Sequence, residues 1–172
     1  SQSLPVNFEP FIDELRNPNI LASLASTPGL AKLTVERLLQ LPHKNAIEWV
    51  IGNSDLTVIC AQEGLVLDLL AIDLGEAALV KLVSSCPIPV QKACFSAPVQ
   101  VSSLIIAAHT EVLSLIEVDF NSLSLNAICS LANKCPSYFN SCLPENALQR
   151  LAVLRGFLWR GDSRAVSELQ AM

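Results

Sequence analysis

Residues 66–73 read VLDLLAID, and residues 112–119 repeat the pattern as VLSLIEVD. Each copy continues through an apolar segment to a Cys-Pro pair, Cys86-Pro87 in the first and Cys135-Pro136 in the second. The pattern predicts a helix, a turn at the aspartate, a second helix, and a stop at the proline, because proline cannot continue a helix. The repeated unit is therefore predicted to be a helical hairpin.

Weaker copies of the hairpin pattern begin upstream at Val35 and downstream at Leu154. One hairpin cannot bury its own apolar face, so neighbouring hairpins are expected to stack. The copies are unevenly spaced, whereas a regular repeat array keeps its period. We therefore predict an all-α fold that forms a compact, irregular stack of helical hairpins, either a HEAT-like right-handed α-α superhelix or an orthogonal bundle.

Local signals in the sequence place the helix ends. The apolar segment 56–72 is predicted to be a central helix, which Gly64 could divide in two. Residues 98–118 are predicted to form one continuous helix. Asp73 and Asp119 match between the two copies, and an aspartate at a helix start accepts backbone N–H groups. Both are therefore predicted to be N-caps.

The domain organisation follows from length and proline positions. Pro5, Pro10 and Pro18 fall within the first residues, which predicts an N-terminal arm, residues 1–19, with one short helix. A chain of 172 residues suits one domain of ordinary size. Residues 20–172 are therefore predicted to form a single helical-repeat domain.

The composition is unusually apolar. Apolar residues make up 51% of the chain and charged residues 16%, against a typical charged share of about 25%. Either the fold is unusually well buried, or an apolar patch is exposed and belongs to a partner. For a single small domain we favour an exposed patch. A net charge of −5 argues against sequence-independent nucleic-acid binding, which depends on clustered Lys and Arg.

No membrane span or signal peptide is predicted. A span needs about 20 mostly apolar residues, and polar residues interrupt the longest uncharged run, residues 93–110. Those residues are predicted to be buried or interfacial. The N-terminus lacks the basic and then apolar layout of a signal peptide.

Six cysteines occur without any Cys-x-x-Cys motif, at positions 60, 86, 94, 129, 135 and 142. Most lie in apolar, helix-like segments, where free cysteine behaves as a small hydrophobic residue. We predict reduced, buried thiols and hence a cytoplasmic protein.

Residues suited to catalysis are sparse. Two isolated histidines, His43 and His109, do not make a zinc site, and no phosphate-binding glycine motif occurs. We therefore expect no cofactor, no metal and no enzymatic activity. A Cys-His pair stays open, because such residues meet in space rather than in sequence. The alternative is a cysteine-dependent enzyme or a secreted bacterial effector with a Cys-His site.

Aromatic and arginine residues mark the candidate binding surface. Trp159 lies beside Arg160, near Phe157 and Arg155, and this mixture is enriched at interface hot spots. Burial of these aromatic residues in the core is an equal alternative. Phe8 and Phe11 in the arm complete the set of candidates for partner contact.

The leading functional hypothesis is a non-catalytic protein-protein interaction adaptor. Its apolar groove between stacked helices is predicted to bind a helix or an apolar segment of a protein partner. A homo-oligomer is the other form that such contact could take.

Several short motifs carry a resemblance to a known family: Phe8-Glu9-Pro10, Leu38-Leu39, Leu69-Leu70 followed by Gly75-Glu76-Ala77, and Ser84-Ser85-Cys86-Pro87. On these motifs the chain resembles the small helical accessory proteins of the type III secretion sorting platform, of the YscK and OrgA kind. The resemblance implies a cytoplasmic, non-catalytic adaptor that joins the membrane ring of the injectisome to its cytoplasmic platform.

Overall fold

A computed structural model describes residues 8–41, 43–96, 101–141 and 143–171. Within these ranges it contains 13 α-helices and two short 3-10 helices, and no strand. The prediction of an all-α fold is therefore confirmed. How the hairpins stack, as a superhelix or as an orthogonal bundle, stays a prediction.

The chain divides into two compact units, Ser1–Val99 and Gln100–Met172. The first unit contains α1 (Phe8–Glu14), α2 (Pro18–Ala25), α3 (Pro28–Gln40), α4 (Lys44–Ile51), α5 (Ser54–Gln62), α6 (Val66–Leu70), α7 (Glu76–Ser84) and α8 (Ile88–Cys94). The second contains α9 (Val101–Ala107), α10 (Thr110–Leu113), a 3-10 helix (Phe120–Ser122), α11 (Leu125–Lys134), a second 3-10 helix (Pro136–Phe139), α12 (Ala147–Arg160) and α13 (Arg164–Ala171). The predicted organisation, an arm of residues 1–19 followed by one domain, stays a prediction beside this division.

The repeated sequence pattern folds in the predicted order in the first unit and only in part in the second. In the first unit α6 leads through residues 71–75 to α7. In the second unit α10 covers only the first two residues of the repeat, and residues 114–124, which include the first 3-10 helix, separate it from α11. Both longer helices end shortly before the Cys-Pro pair. The first helix of each copy is very short, with 5 residues in α6 and 4 in α10. In each copy a helix of about one turn therefore precedes a full helix.

The two matched aspartates play different roles. Asp119 caps the first 3-10 helix and accepts the N–H of Asn121 at 3.0 Å. It does not open the helix that runs to Lys134, as the sequence predicted, because Ser124 is the N-cap of α11. The prediction that Asp73 is an N-cap is wrong, because α7 begins only at Glu76. There the N–H of Gly75 is accepted by Oε1 of Glu48, at 3.0 Å, from α4. A carboxylate distant in sequence thus binds the residue before α7, while no side chain caps the first turn of α7 itself.

The long central segment is divided at Gly64, the position at which the sequence allowed a division. Gly64 has a φ of +72°, a left-handed conformation that glycine adopts without steric cost. It separates α5 from α6.

The prediction of one continuous helix from 98 to 118 is wrong, and its residues 98–100 lie outside the described ranges. The helix breaks at His109, whose extended backbone begins α10. Nζ of Lys134, on α11, donates to the carbonyl oxygens of Ile105, Ile106 and Ala108 at the end of α9. The end of a helix leaves its last carbonyl groups without a hydrogen-bond partner within the helix. Here Lys134 supplies the donor from another helix, so α9 can end at this point.

The core of the second unit forms where α11 packs on α12. A Cβ built on Gly156 would lie 2.5 Å from Cβ of Ala132 and 2.9 Å from N of Asn133, and closer still to the carbonyl oxygen of Cys129. The two backbones therefore approach closely, and only glycine fits at position 156. Beside this contact lies a cluster of aromatic rings: Phe120, Tyr138, Phe139 and Phe157.

Candidate protein-docking surface

The structure separates the aromatic and arginine residues that the sequence grouped at the end of α12. Trp159 is 75% exposed, whereas Phe157 is 1% exposed. Two positions along a helix correspond to about 200° of rotation, so the two rings point to opposite sides. Arg155 and Arg160 are exposed. Phe157 is thus a core residue that cannot contact a partner, whereas Arg155, Trp159 and Arg160 remain candidates.

Phe157 is held in the core by two specific contacts. Its ring meets that of Phe139 edge-on, with centroids 6.2 Å apart. The guanidinium of Arg164 lies 4.4 Å from the centroid of the Phe157 ring, within the range of a cation-π interaction.

The candidates in the first unit, Phe8 and Phe11, lie on α1. Phe11 is half-buried, and the side chain of Phe8 is outside the described part of the chain. Their role in partner contact stays a prediction.

The exposed face of α12 is mostly apolar, with one arginine near its centre. We call this face the α12 strip; it consists of Leu148, Leu151, Arg155, Leu158 and Trp159. These positions are spaced i, i+3, i+7, i+10 and i+11, so they lie along one side of the helix. Its four apolar side chains are between 41% and 75% exposed. Side chains of this size normally face the interior, so the strip is an unusual surface for a free helix.

This strip was not predicted from the sequence, because α12 is apolar on its buried side as well. The opposite face buries Ala152, Val153 and Phe157. Leu154 is buried too, so apolar positions surround most of the helix. The signal was available in the spacing of Leu148, Leu151 and Leu158, but the sequence did not show which side faces the core.

The electrostatics of α12 are uniformly basic. The helix contains three arginines and no acidic residue. Arg150 forms a salt bridge with Glu168 of α13 at 3.2 Å, and Arg160 donates to the carbonyl oxygen of Asn133 at 2.8 Å. Arg155, in the middle of the strip, forms no ion pair with a described residue. The strip therefore combines leucine-sized side chains with a central cation.

The nearest acidic residue after the helix is already paired. Asp162 accepts from Arg164 at 2.9 Å, and these hydrogen bonds lower the pKa of Asp162 to about 2. Gly161 ends α12 with a φ of +76°. The sequence Arg-Gly-Asp at 160–162 thus forms the turn into α13, with its carboxylate bound within the chain.

A concavity in the first unit differs from the apolar groove that the sequence predicts. It has a volume of about 450 Å³ and lies between α3 and α6. Its lining is mixed and includes two carboxylates: Glu36, Leu39, Gln40, Leu65, Asp68, Ala71 and Ile72. The apolar α12 strip is a convex helix face rather than a groove of this kind.

Both histidines act as helix caps. Nδ1 of His43 accepts the N–H of Ala46 at 3.2 Å, and Nδ1 of His109 accepts the N–H of Glu111 at 3.2 Å. His109 is exposed, whereas the sequence analysis placed it in an apolar helix. No group of three or more His, Cys, Asp or Glu side chains that could hold a metal ion occurs in the described ranges.

The five described cysteines are free thiols, and all but Cys129 are buried. Cys142 lies outside the described residues. Burial raises the pKa of Cys60 to about 11. It also raises the pKa of Cys86 to about 12, with a further contribution from charge repulsion by Cys94 and Cys60. Such thiols are almost entirely protonated at neutral pH and are poor nucleophiles.

Alkylation rates test the Cys-His alternative. In a Cys142→Ser variant we expect iodoacetamide to modify Cys129 first, because its side chain is half-exposed. We expect the four buried thiols to react only as the chain opens: Cys60, Cys86, Cys94 and Cys135. Mass spectrometry of the labelled peptides measures each rate. Reaction of a buried thiol as fast as the unfolded protein reacts would contradict this assignment and support a catalytic cysteine.

Comparison with known proteins finds no protein family that matches the chain, and no curated protein or solved structure with significant similarity. No helix in the described part of the chain combines the length and the apolar character needed to cross a membrane.

Proposed function

We propose that this chain is a non-catalytic protein-interaction adaptor, and that its α12 strip binds an acidic, amphipathic helix of a partner protein. The observation that carries the proposal is the row of exposed apolar side chains on α12 with Arg155 at its centre.

The spacing of the strip favours a helical partner. Helix-binding surfaces are recognised through anchors at i, i+3 and i+7, which follow the side of a helix. The α12 strip presents its apolar residues at this spacing over the 14 residues of the helix. A partner helix lying along it would cover leucine and tryptophan side chains that water now contacts, and burial of apolar area stabilises association.

The charge of the strip favours an acidic partner. A carboxylate opposite Arg155 would form a charge-assisted hydrogen bond, which is stronger where neighbouring leucines exclude water. Pairing of this strip with the same strip of a second copy would bring arginines together without a carboxylate on either strip. A partner of different sequence is therefore favoured over a homo-oligomer formed through α12.

The resemblance to type III secretion accessory proteins fits the same proposal. An adaptor of that kind works in the cytoplasm and joins other components by contact, without catalysis. A cytoplasmic role in a bacterial secretion system is thus the biological setting that we propose for this adaptor.

Tryptophan fluorescence tests the α12 strip directly. The chain has two tryptophans, so a Trp49→Phe variant leaves Trp159 as the single reporter. We expect a stapled helical peptide with a leucine face flanked by glutamates to shift Trp159 emission to shorter wavelength, because the ring becomes buried. The same peptide with lysines in place of the glutamates is expected to bind at least about tenfold more weakly.

A matched pair of variants locates the effect. Leu151→Asp is expected to weaken binding of the glutamate peptide at least about tenfold, because it removes an anchor and adds a like charge. Leu67→Asp is the control, since Leu67 on α6 is 47% exposed and lies outside the strip. Absence of any emission shift, or equal binding of the two peptides, would contradict the proposal.

A further inference from the structure

The arrangement of the α12 strip recurs on α3. Helix α3 carries leucines at 30 and 33 and an arginine at 37, and Leu41 directly follows its last residue. These four positions have the same spacing as Leu148, Leu151, Arg155 and Trp159. We call this second face the α3 strip; it consists of Leu30, Leu33, Arg37, Gln40 and Leu41. Its three leucines are between 37% and 50% exposed, so they form an apolar face on the surface of the first unit.

The match extends to the residues beside and beneath the strips. Lys32 stands where α12 has Arg150, and each cation pairs with a glutamate at a neighbouring helix. Lys32 pairs with Glu63 at 3.6 Å, and Arg150 pairs with Glu168 at 3.2 Å. Val35 stands where α12 has Val153, and both are buried. The two helices thus share one buried valine, a paired flank and an exposed face.

We propose that the α3 and α12 strips are two binding sites of the same chemistry, so that one chain holds two acidic, amphipathic helices. This inference rests on the proposed function and adds bivalency to it. Each strip carries one arginine among leucines and no carboxylate, so both strips favour an acidic segment. A bivalent adaptor can bring two partner molecules together, or bind one partner that carries two such helices with greater avidity.

The two sites are expected to differ in affinity. In the α3 strip, Gln40 is at the position of Leu158, and Leu41 is at the position of Trp159. The α3 strip therefore offers a partner less apolar area than the α12 strip does. Arg37 donates to Oε1 of Gln40 at 3.2 Å, and a partner carboxylate has to compete with this and the other contacts that Arg37 makes within the chain. Glu36 lies next to Arg37 on the same helix and repels an acidic segment. The α3 site is therefore the weaker one.

Isothermal titration calorimetry with the glutamate-flanked leucine peptide tests the inference. The unmodified chain is expected to bind two peptides, the second at least about tenfold more weakly than the first. Leu33→Asp is expected to remove the weaker site and to leave the Trp159 emission shift unchanged. Leu151→Asp is expected to remove the tighter site, and the double variant to bind none.

Substitution of an arginine provides a second test that leaves the leucines of both strips in place. Arg37→Glu is expected to transfer the preference of the α3 site from the glutamate peptide to its lysine counterpart, with no effect at the α12 site. Circular dichroism of each variant verifies that the chain remains folded.

The outcomes separate this inference from the proposed function. A chain that binds one peptide, loses it in Leu151→Asp and keeps it in Leu33→Asp would overturn bivalency and leave the adaptor proposal intact. A chain that binds neither peptide would overturn both. Self-association abolished by Leu33→Asp would assign the α3 strip to contact between copies and would also overturn the inference.

Discussion

Phe157→Ala is expected to lower the free energy of unfolding by about 3–5 kcal/mol, whereas Trp159→Ala is expected to change it by less than about 0.5 kcal/mol. Phe157 is buried, and its replacement would leave a cavity beside Phe139 and Arg164. Trp159 is mostly surrounded by water in the free chain, so its removal takes away little packing. The two rings lie two positions apart on one helix, which makes them a matched pair.

Native-state hydrogen exchange of the amides in α11 and α12 measures the predicted loss of stability within the second unit. The slowest amides of these helices are expected to exchange faster in Phe157→Ala and at an unchanged rate in Trp159→Ala. Peptide binding gives the opposite ranking, because Trp159→Ala removes a proposed anchor of the α12 strip. A large loss of stability in Trp159→Ala would show that this ring packs against the body and is unsuited to docking.

The helical character of the chain could be predicted because apolar periodicity and proline positions are local signals. Gly64 and the two Cys-Pro pairs end helices through properties of their own backbones, so the order of elements in the first copy of the repeated pattern could be predicted from the sequence. The sequence could not show that Glu48 accepts the N–H of Gly75 just before α7, or that Lys134 satisfies the end of α9. In both cases the decisive hydrogen bond comes from a helix far along the chain.

The candidate site was predictable in composition but not in orientation. The sequence indicated an exposed apolar surface and pointed to the end of α12, where Arg155, Trp159 and Arg160 are exposed. It could not separate Trp159 from Phe157, because α12 carries apolar residues on nearly every side. The orientation of the helix is set by the contact of Gly156 with α11. That contact faces the core and leaves Leu148, Leu151 and Leu158 on the outside.

Gly156→Ala is therefore expected to destabilise the chain by at least about 2 kcal/mol, although alanine favours a helix over glycine by about 1 kcal/mol. The new methyl group would overlap the backbone of Cys129 and Asn133 and Cβ of Ala132, and neither a carbonyl nor a Cβ can turn aside as a long side chain can. Gly29→Ala on α3 is the control, since a Cβ there would meet nothing within 4 Å. It is expected to be neutral or to stabilise by up to about 1 kcal/mol.

Urea unfolding followed by circular dichroism compares these two glycine variants, and hydrogen exchange locates the change. In Gly156→Ala we expect faster exchange in α11 and α12, and also weaker binding at the α12 strip, because separating the helices would turn the strip away from its present orientation. Equal stability of the two variants would mean that the helices can move apart freely. The close contact at Gly156 would then not fix which face of α12 is exposed, and the position of the α12 strip would need another cause.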